Sequence, residues 1–380
     1  MNAPVLKIID NLADIPVTQW DALAQTDPFL SHAYLCALQE SGCATARFGW
    51  QAQFITLWRG SRLLGAMPLY LKMNSYGEHV FDFAWAEAYH RNGLRYYPKL
   101  VCTVPFTPVT GRRLLAAPST EVEEVRALLL DAALHFAKDT GVSSLHCLFL
   151  DQQDAKMALG KGMMLRHDVQ FHWKNQNYRD FDDFLAVLSR DKRKRIRQER
   201  RKVKEAGIEL QCITGKHATA DQWAFFASCY AHTRQLHYSP PALNADFFHR
   251  IGSAIPGNTL LVIATREGRP IASALNIFTE DALYGRSWGA FEFHSGLHFE
   301  TCYYQAIEFC IRNNIKRFEG GAQGEHKLAR GLMPVTTCSA HWLAHPQFSR
   351  AVDDYLQQEA SAISEYVEEL NERSPFKRQS

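Results

Sequence analysis

TLLVIATREGRPIASALNIFTEDALYGRSWGAF, residues 259–291, is the stretch on which the fold turns. Three runs rich in β-branched, aliphatic and aromatic residues are separated by Glu267-Gly268 and Glu280-Asp281, pairs suited to tight turns. The stretch therefore reads as a three-stranded antiparallel meander. TCYYQAIEFCIRNN (301–314) follows with helical spacing, and IKRFEGG (315–321) reads as a further strand. Upstream, IELQCIT (208–214) reads as a strand. Residues 181–205 read as one helix, with further helices near 220–236 and 243–254. VTTCSAHWLA (335–344) is a last strand.

The same grammar appears in the first half. FITLWRG (54–60) and LLGAMPLYLKM (63–73) are strand-like and meet at a turn at Gly60-Ser61. EVEEVRALLLDAALHFAKDTG is an amphipathic helix ending at Gly141, and VSSLHCLFL (142–150) is a buried strand. Residues 15–40 read as helical, with Gly42 placed to end them, and 98–120 as a loop. The tail, 348–373, is an acidic, polar helix, and SPFKRQS after it is expected to fray. A boundary near 155–180 gives domains at 1–165 and 166–347, with 348–380 as a C-terminal helix and tail. The halves share an order of elements, not an evident sequence identity. The class is α/β of the α+β type: two tandem domains, each a mixed, mostly antiparallel sheet flanked by helices.

Composition narrows the function. With 46% apolar and 22% charged residues the chain is globular, and a net charge of +2 argues against a protein coated in basic surface for nucleic acid. Nine cysteines at wide spacing, with no CxxC pair, suit reduced thiols and neither a disulfide framework nor a zinc site. The first residues lack the features of a signal peptide, and no stretch has the length of apolar sequence needed to span a bilayer, so a cytoplasmic protein is expected. The histidine pairs His294/His298 and His341/His345 lack a third ligand at a recognised spacing; no metal is expected.

A meander, a helix and then a parallel strand is the order of the GNAT acyltransferase fold, whose fourth and fifth strands splay to admit an acyl donor. LSRDKRKRIRQERRKVKEAGIEL, from Leu188, resembles the basic helix that opens the second half of FemAB-type peptidyl- and aminoacyltransferases. DPFLSHAYLCALQESG, GAMPLYLKMNSYGEHVFDFAWAEAY, YYPKLVCTVPFTPVTGRRLL and GGAQGEHKLARGLMPVTTCSAHWLAHP look like a FemAB-like family of N-acyltransferases of the peptidoglycan biosynthesis or recognition type. That resemblance covers nearly the whole chain. It implies a tandem GNAT fold and transfer of an acyl or aminoacyl group to an amine, with acyl-CoA or aminoacyl-tRNA as donor.

Four groups of residues could carry such chemistry. FEGGAQGEHKLARG (318–331) ends a strand in two glycines that permit close backbone approach or positive φ. In the family pattern the strand ends in an acidic-glycine element followed by an aromatic-lysine pair; Glu319 holds the acidic place, and His326-Lys327 the pair. Amide formation needs a base for the attacking ammonium and a stabiliser for the oxyanion. Glu319 or His326 suits the first, and Lys327 the second or a phosphate contact. A strand-end turn with surface charges would look the same.

In SYGEHVFDFAWAEAYHRNGLRYYPKL (75–100), an extended VFDFAWAEAY would put Phe81, Phe83 and Trp85 on one face. It reads either as packing or as a substrate groove built from Asp82, Trp85, Tyr89 and Lys99, bordered by Phe106 and Thr107. Tyr284, Arg286 and Trp288 alternate along one strand and could line the cleft. GAFEFHSGLHFETC (289–302) sits where a simple GNAT enzyme places its pyrophosphate loop, but only Gly296 remains of the usual glycine pattern. Finally, ten Lys or Arg lie between Arg190 and Lys204. They form either a solvated helix face or a phosphate contact through residues such as Arg197 and Arg200, and no aromatic interleaves them for base stacking.

The first reading is an N-acyltransferase acting by direct amine attack on a peptide, amino acid or cell-wall precursor. The second is a non-catalytic GNAT-like module binding such a ligand; the third, an RNA-associated protein using the basic helix. A tRNA contact is among the partners this allows. The acceptor is a small-molecule or peptide amine.

Overall fold

Sheet strands appear in both halves in the order the apolar runs predict. The computed structural model describes residues 3–377 apart from Thr120, His237, residues 239–241 and Gln323. The chain divides into two units, Met1–Asp168 with Thr336–Glu365, and Val169–Val335 with Tyr366–Ser380.

The first unit holds β1 (Val5–Ile9), β2 (Trp50–Ala52), β3 (Phe54–Arg59), β4 (Arg62–Met67), β5 (Leu69–Lys72), β6 (Lys99–Cys102), β7 (Leu115–Ala116) and β8 (Ser144–Leu150). Its helices are α1 (Val17–Ala24), α2 (His32–Glu40), α3 (Phe83–Arg91), α4 (Val122–Asp139) and α5 (Gln152–Gly160). One sheet runs β1-β3-β4-β7. In the other, β2, β5, β6 and β8 are neighbours, and β8 also pairs with residues 338–343. Most pairs are antiparallel, but β6 and β8 run parallel, Leu100 beside Leu145 and Cys102 beside Cys147. A parallel neighbour cannot be reached by a hairpin, and α4 belongs to the crossover that makes this one. Val125, Leu129, Ala133 and Ala137 recur at helical spacing on α4 and pack with Ile55, Leu57, Leu64, Leu69 and Leu145 in one apolar core. Each such leucine contributes roughly 1.5–3 kcal/mol by leaving water. Glu123 and Glu124 in the first turn and Lys138 in the last suit the helix dipole.

The second unit begins within β9 (Met164–Lys174) and continues through α6 (Phe181–Val187), α7 (Arg190–Glu205), β10 (Ile208–Thr214), α8 (Ala220–Leu236) and α9 (Ala245–Ala254). The meander is β11 (Thr259–Arg266), β12 (Arg269–Phe278) and β13 (Ala282–Ala290). A short turn of helix, α10 (Leu297–Phe299), passes through a π-helical turn, Glu300–Tyr304, into α11 (Gln305–Arg312). Then comes β14 (Arg317–Ala322); β15 (Met333–Leu343) starts in this unit and passes into the first at Thr336, and α12 (Pro346–Glu372) returns from the first unit at Tyr366. The sheet order here is β10-β11-β12-β13-β14-β9, with β13 and β14 parallel.

Helix α8 lies close on β13. A Cβ placed on Gly289 would stand 2.0 Å from the Cys229 carbonyl oxygen and 2.9 Å from Thr233 Oγ1. Backbone cannot yield as a side chain can, so Gly289→Ala is expected to destabilise this unit by about 2–3 kcal/mol. Gly257, whose Cβ would meet only Lys216 Cε at 3.6 Å, should accept Ala with little change. Thermal unfolding of the two variants checks the contrast.

Five expectations from the sequence need correction. The 15–40 segment is two helices, because DPFLS between them turns, with Asp27 accepting from the Phe29 and Leu30 amides. The 181–205 segment is also two helices, broken where Leu188 takes extended backbone and Ser189 stands at the N-cap position of α7. The 98–120 segment is not only loop, since it contributes β6 and β7. VFDFAWAEAY is not extended: Phe83–Arg91 is helical, and the decisive spacing is Trp85 to Tyr89, one turn apart and both buried with Leu343, Val352 and Leu356. Phe81 and Phe83 are left exposed. At the C-terminus, Pro375–Lys377 is docked and not frayed: Ser189 N–H donates to the Pro375 carbonyl, and Lys377 N–H to that of Val187. Residues 378–380 lie outside the described part.

Candidate active site

Strands β13 and β14 are bonded only at their starts, Ala282 beside Arg317 through Tyr284 beside Glu319. Beyond Tyr284, β13 continues to Ala290 while β14 bends into Gly320-Gly321. Gly321 has φ +82°. A Cβ on Gly320 would meet Leu332 Cδ2 at 2.6 Å and Lys327 Cδ at 3.3 Å, so this glycine permits the turn after the strand to fold back on it. Parallel strands that part leave unpaired backbone at the opening, which is where a ligand can be held.

Side chains gather there by strand alternation. Glu319 is flanked by Tyr284 on β13 and His172 on β9. Arg317, two residues back on the same face, donates from Nε to Glu319 Oε1 at 3.0 Å and from Nη2 to the Tyr284 hydroxyl at 3.2 Å. His172 Nε2 stands 3.8 Å from Glu319 Oε2 and 3.3 Å from Gln170 Oε1. Burial, then the charges of Arg317, Lys327 and Lys174, press the His172 imidazole down to about 4, so it is neutral at physiological pH. Lys327 is only 3% exposed and donates to the Gly321 carbonyl at 2.9 Å. Burial lowers its ammonium to about 8, against a small opposing effect of Cys302.

His326, beside it, faces outward. Its Nε2 lies 3.2 Å from the Tyr303 hydroxyl, and burial with Arg330 and Lys327 lowers its pKa. The turn carrying both residues, Glu325–Arg330, is anchored by Arg330. That guanidinium stacks 3.3 Å from the Phe299 ring centroid, donates to the His326 carbonyl, and bonds both oxygens of Glu199 on α7. Arg286 and Trp288 follow Tyr284 on β13 and are half-buried, with Trp288 against the His298 ring at 5.1 Å.

The predicted phosphate contacts are engaged as ion pairs. Arg197 donates to Asp182 at 3.0 Å; Arg200 bonds Glu300 and Glu308 and stacks on Phe181. Both line an open cavity of about 420 Å³ that also receives Asp180, Asp182 and Glu308, so its wall is not a cationic one. Gly296 precedes α10 with φ +91°, but a Cβ there would lie 3.0 Å from the Glu199 carbonyl oxygen. α7 therefore fills the place beside this helix start, and the first turn after it carries the buried Glu300.

The residues expected to form a groove at 82–107 belong to the first unit, and most are interior. Asp82 and Lys99 are a buried ion pair; Trp85 and Tyr89 are core. Thr107 is buried, with Oγ1 3.3 Å from the Tyr34 hydroxyl. Half-buried Phe106 takes φ +59° and packs its ring against Trp50 at 5.4 Å. Sequence reading missed His172 and Arg317 in the second unit, and Glu78, Tyr96 and His146 in the first. The alternation of Gln170, His172 and Lys174 against Phe171 and Trp173 was the available signal for β9. Among the described residues no three His, Cys, Asp or Glu side chains come together to hold a metal, and no helix is long and apolar enough to cross a membrane.

Two units, each with a parallel strand reached through a helix in an otherwise antiparallel sheet, define the tandem GNAT fold. Solved structures agree. FemX superposes with a TM-score of 0.54 at 11% identity, over 89% of this chain and 98% of that one. The C-terminal domain of a protein described as a lysylphosphatidylglycerol synthetase, from Agrobacterium fabrum, gives 0.53 at 9% identity, over 89% and 95%. Residues 11–378 match the FemAB-like family model of peptidoglycan biosynthesis and recognition, and the chain belongs to that family. No curated protein matches it.

Proposed function

We propose that the protein is an N-acyltransferase that joins an acyl or aminoacyl group to a peptide, amino acid or cell-wall precursor amine. The observation that carries this reading is the opening between β13 and β14, with Glu319, His172, Arg317 and Lys327 gathered around it. The amine nitrogen bonds to the donor's carbonyl carbon after losing a proton to Glu319 or to neutral His172. The carbonyl oxygen gathers negative charge, which the Lys327 ammonium offsets. The carbon–oxygen or carbon–sulfur bond to the carrier then breaks, and the carrier leaves with a proton. No enzyme-bound acyl intermediate is required.

The helix start after β13 favours one donor class over the other. In place of free amides facing a pyrophosphate, it has the α7 backbone against Gly296 and the carboxylate of Glu300. This supports an aminoacyl ester such as aminoacyl-tRNA over acyl-CoA. Isothermal titration of the full chain with acetyl-CoA, charged tRNA and uncharged tRNA tests it. Binding is expected with charged tRNA, weaker with uncharged. Acetyl-CoA binding without tRNA binding would reverse the donor assignment, and no binding to any of the three would favour a ligand-binding module instead.

A further inference from the structure

Arg197 and Arg200 of helix α7 hold carboxylates, but the helix's outer face has a different character. At 3.6 residues per turn, Arg190, Arg193, Lys194, Arg197, Arg201 and Lys204 fall within an arc of about 100° and along about 21 Å of helix. Ile196 and Val203, the buried residues of α7, lie roughly 120° away around the same helix. Five of the six cations are exposed and Arg193 is half-buried. Arg197 meets Asp182, and Arg201 meets Glu205 at 3.5 Å. Arg190, Arg193, Lys194 and Lys204 make no salt bridge among the described residues. Lys377, exposed, is tied beside the start of the helix through the Val187 carbonyl and adds to that end.

In a chain whose net charge is only +2, such a line is a strong local field. We infer that this stripe docks the protein on an anionic lipid surface. A straight row of cations along a rigid helix meets a plane of headgroup phosphates all at once. No side chain from Arg190 to Glu205 is aromatic, so the row has nothing on which nucleobases could stack. Its apolar residues are buried in the unit, so the contact is electrostatic adsorption and not insertion. Four uncommitted cations are enough for an affinity that low salt reveals and high salt removes.

The test is vesicle flotation with the full chain. Vesicles of phosphatidylcholine alone are compared with vesicles containing phosphatidylglycerol, at low and high salt. Expected is binding to the anionic vesicles only, falling at least tenfold at high salt. The variant Arg193→Glu/Lys194→Glu should lose it at least tenfold. Lys138→Glu/Lys156→Glu, which changes net charge equally with exposed residues of the first unit, should retain it. Unchanged thermal unfolding shows that each variant is folded. No anionic-vesicle binding, or equal loss in both variants, overturns the inference.

Discussion

Lys99→Met is expected to destabilise the first unit by roughly 3–5 kcal/mol, the usual result of deleting one partner of a buried ion pair. Lys99 is fully buried, and its ammonium donates to Ser75 Oγ at 2.9 Å, to Glu78 Oε2 at 2.8 Å and to Asp82 Oδ2. Burial works against its charge, but Glu78 and Asp82 outweigh that and raise its pKa. For Asp82 burial likewise opposes ionisation, and Lys99 with His146 holds the carboxyl well below its ordinary range. Burial lifts Glu78 to about 7 despite Lys99. Methionine fills similar space but leaves Asp82 in the interior with no cation bonded to it. The carboxyl must then either stay charged unpaired or take up a proton, and both cost free energy. The penalty is therefore that of an orphaned carboxylate, not of lost packing. Lys99→Met combined with Glu78→Gln and Asp82→Asn should recover most of the loss, because neutral amides need no counter-charge. Thermal unfolding of the three proteins decides it. A single variant that melts within about 2 °C of the parent would show that water reaches the cluster and the pair contributes little.

That cluster shows where the sequence was silent. Apolar periodicity found the meander and α4 because their burial is a local pattern: a strand repeats every two residues, a helix every three or four. α3 was hidden because three aromatics at alternating positions mimic a strand. What settles it is distant: Tyr96 donates to Asp82, His146 Nε2 lies 3.3 Å from the same hydroxyl, and His146 Nδ1 is 2.6 Å from His341 Nδ1. These residues come from α3's cap, the segment before β6, β8 and β15. No window of sequence contains them together. The candidate site divides the same way. Glu319 and Lys327 were readable because the glycines between them mark a strand that must stop and turn. Their neighbour His172 sits on a strand in the stretch expected to be a boundary, and only the β14–β9 register brings it to Glu319. The basic run was plain in the sequence, but its division was not. Arg200 and Arg197 turn to carboxylates, and Glu199, an acid within the basic helix, is what holds Arg330 and so the turn that presents Lys327.

Glu319→Gln is expected to lower kcat for acyl transfer by about 100- to 1000-fold, with KM for the donor changed less than threefold. Glutamine keeps the shape and still accepts from Arg317, so strand pairing and the Tyr284 contact persist and the loss reports proton acceptance. Lys327→Met should cost about as much, by removing the charge proposed to offset the oxyanion. The pH profile separates the two roles. Because burial lowers Lys327 to about 8, its ammonium is lost as pH rises through that value, and the rate should fall above it. Lys327→Arg, which stays charged, should restore part of the rate and abolish the alkaline limb. His172, held near 4, is neutral through the whole range above and should add no limb between pH 5 and 8. A loss below tenfold in both Glu319→Gln and Lys327→Met would remove the strand opening from the chemistry. An alkaline limb that survives in Lys327→Arg would assign it to another group and leave Lys327 as a group that holds the Gly321 carbonyl in place.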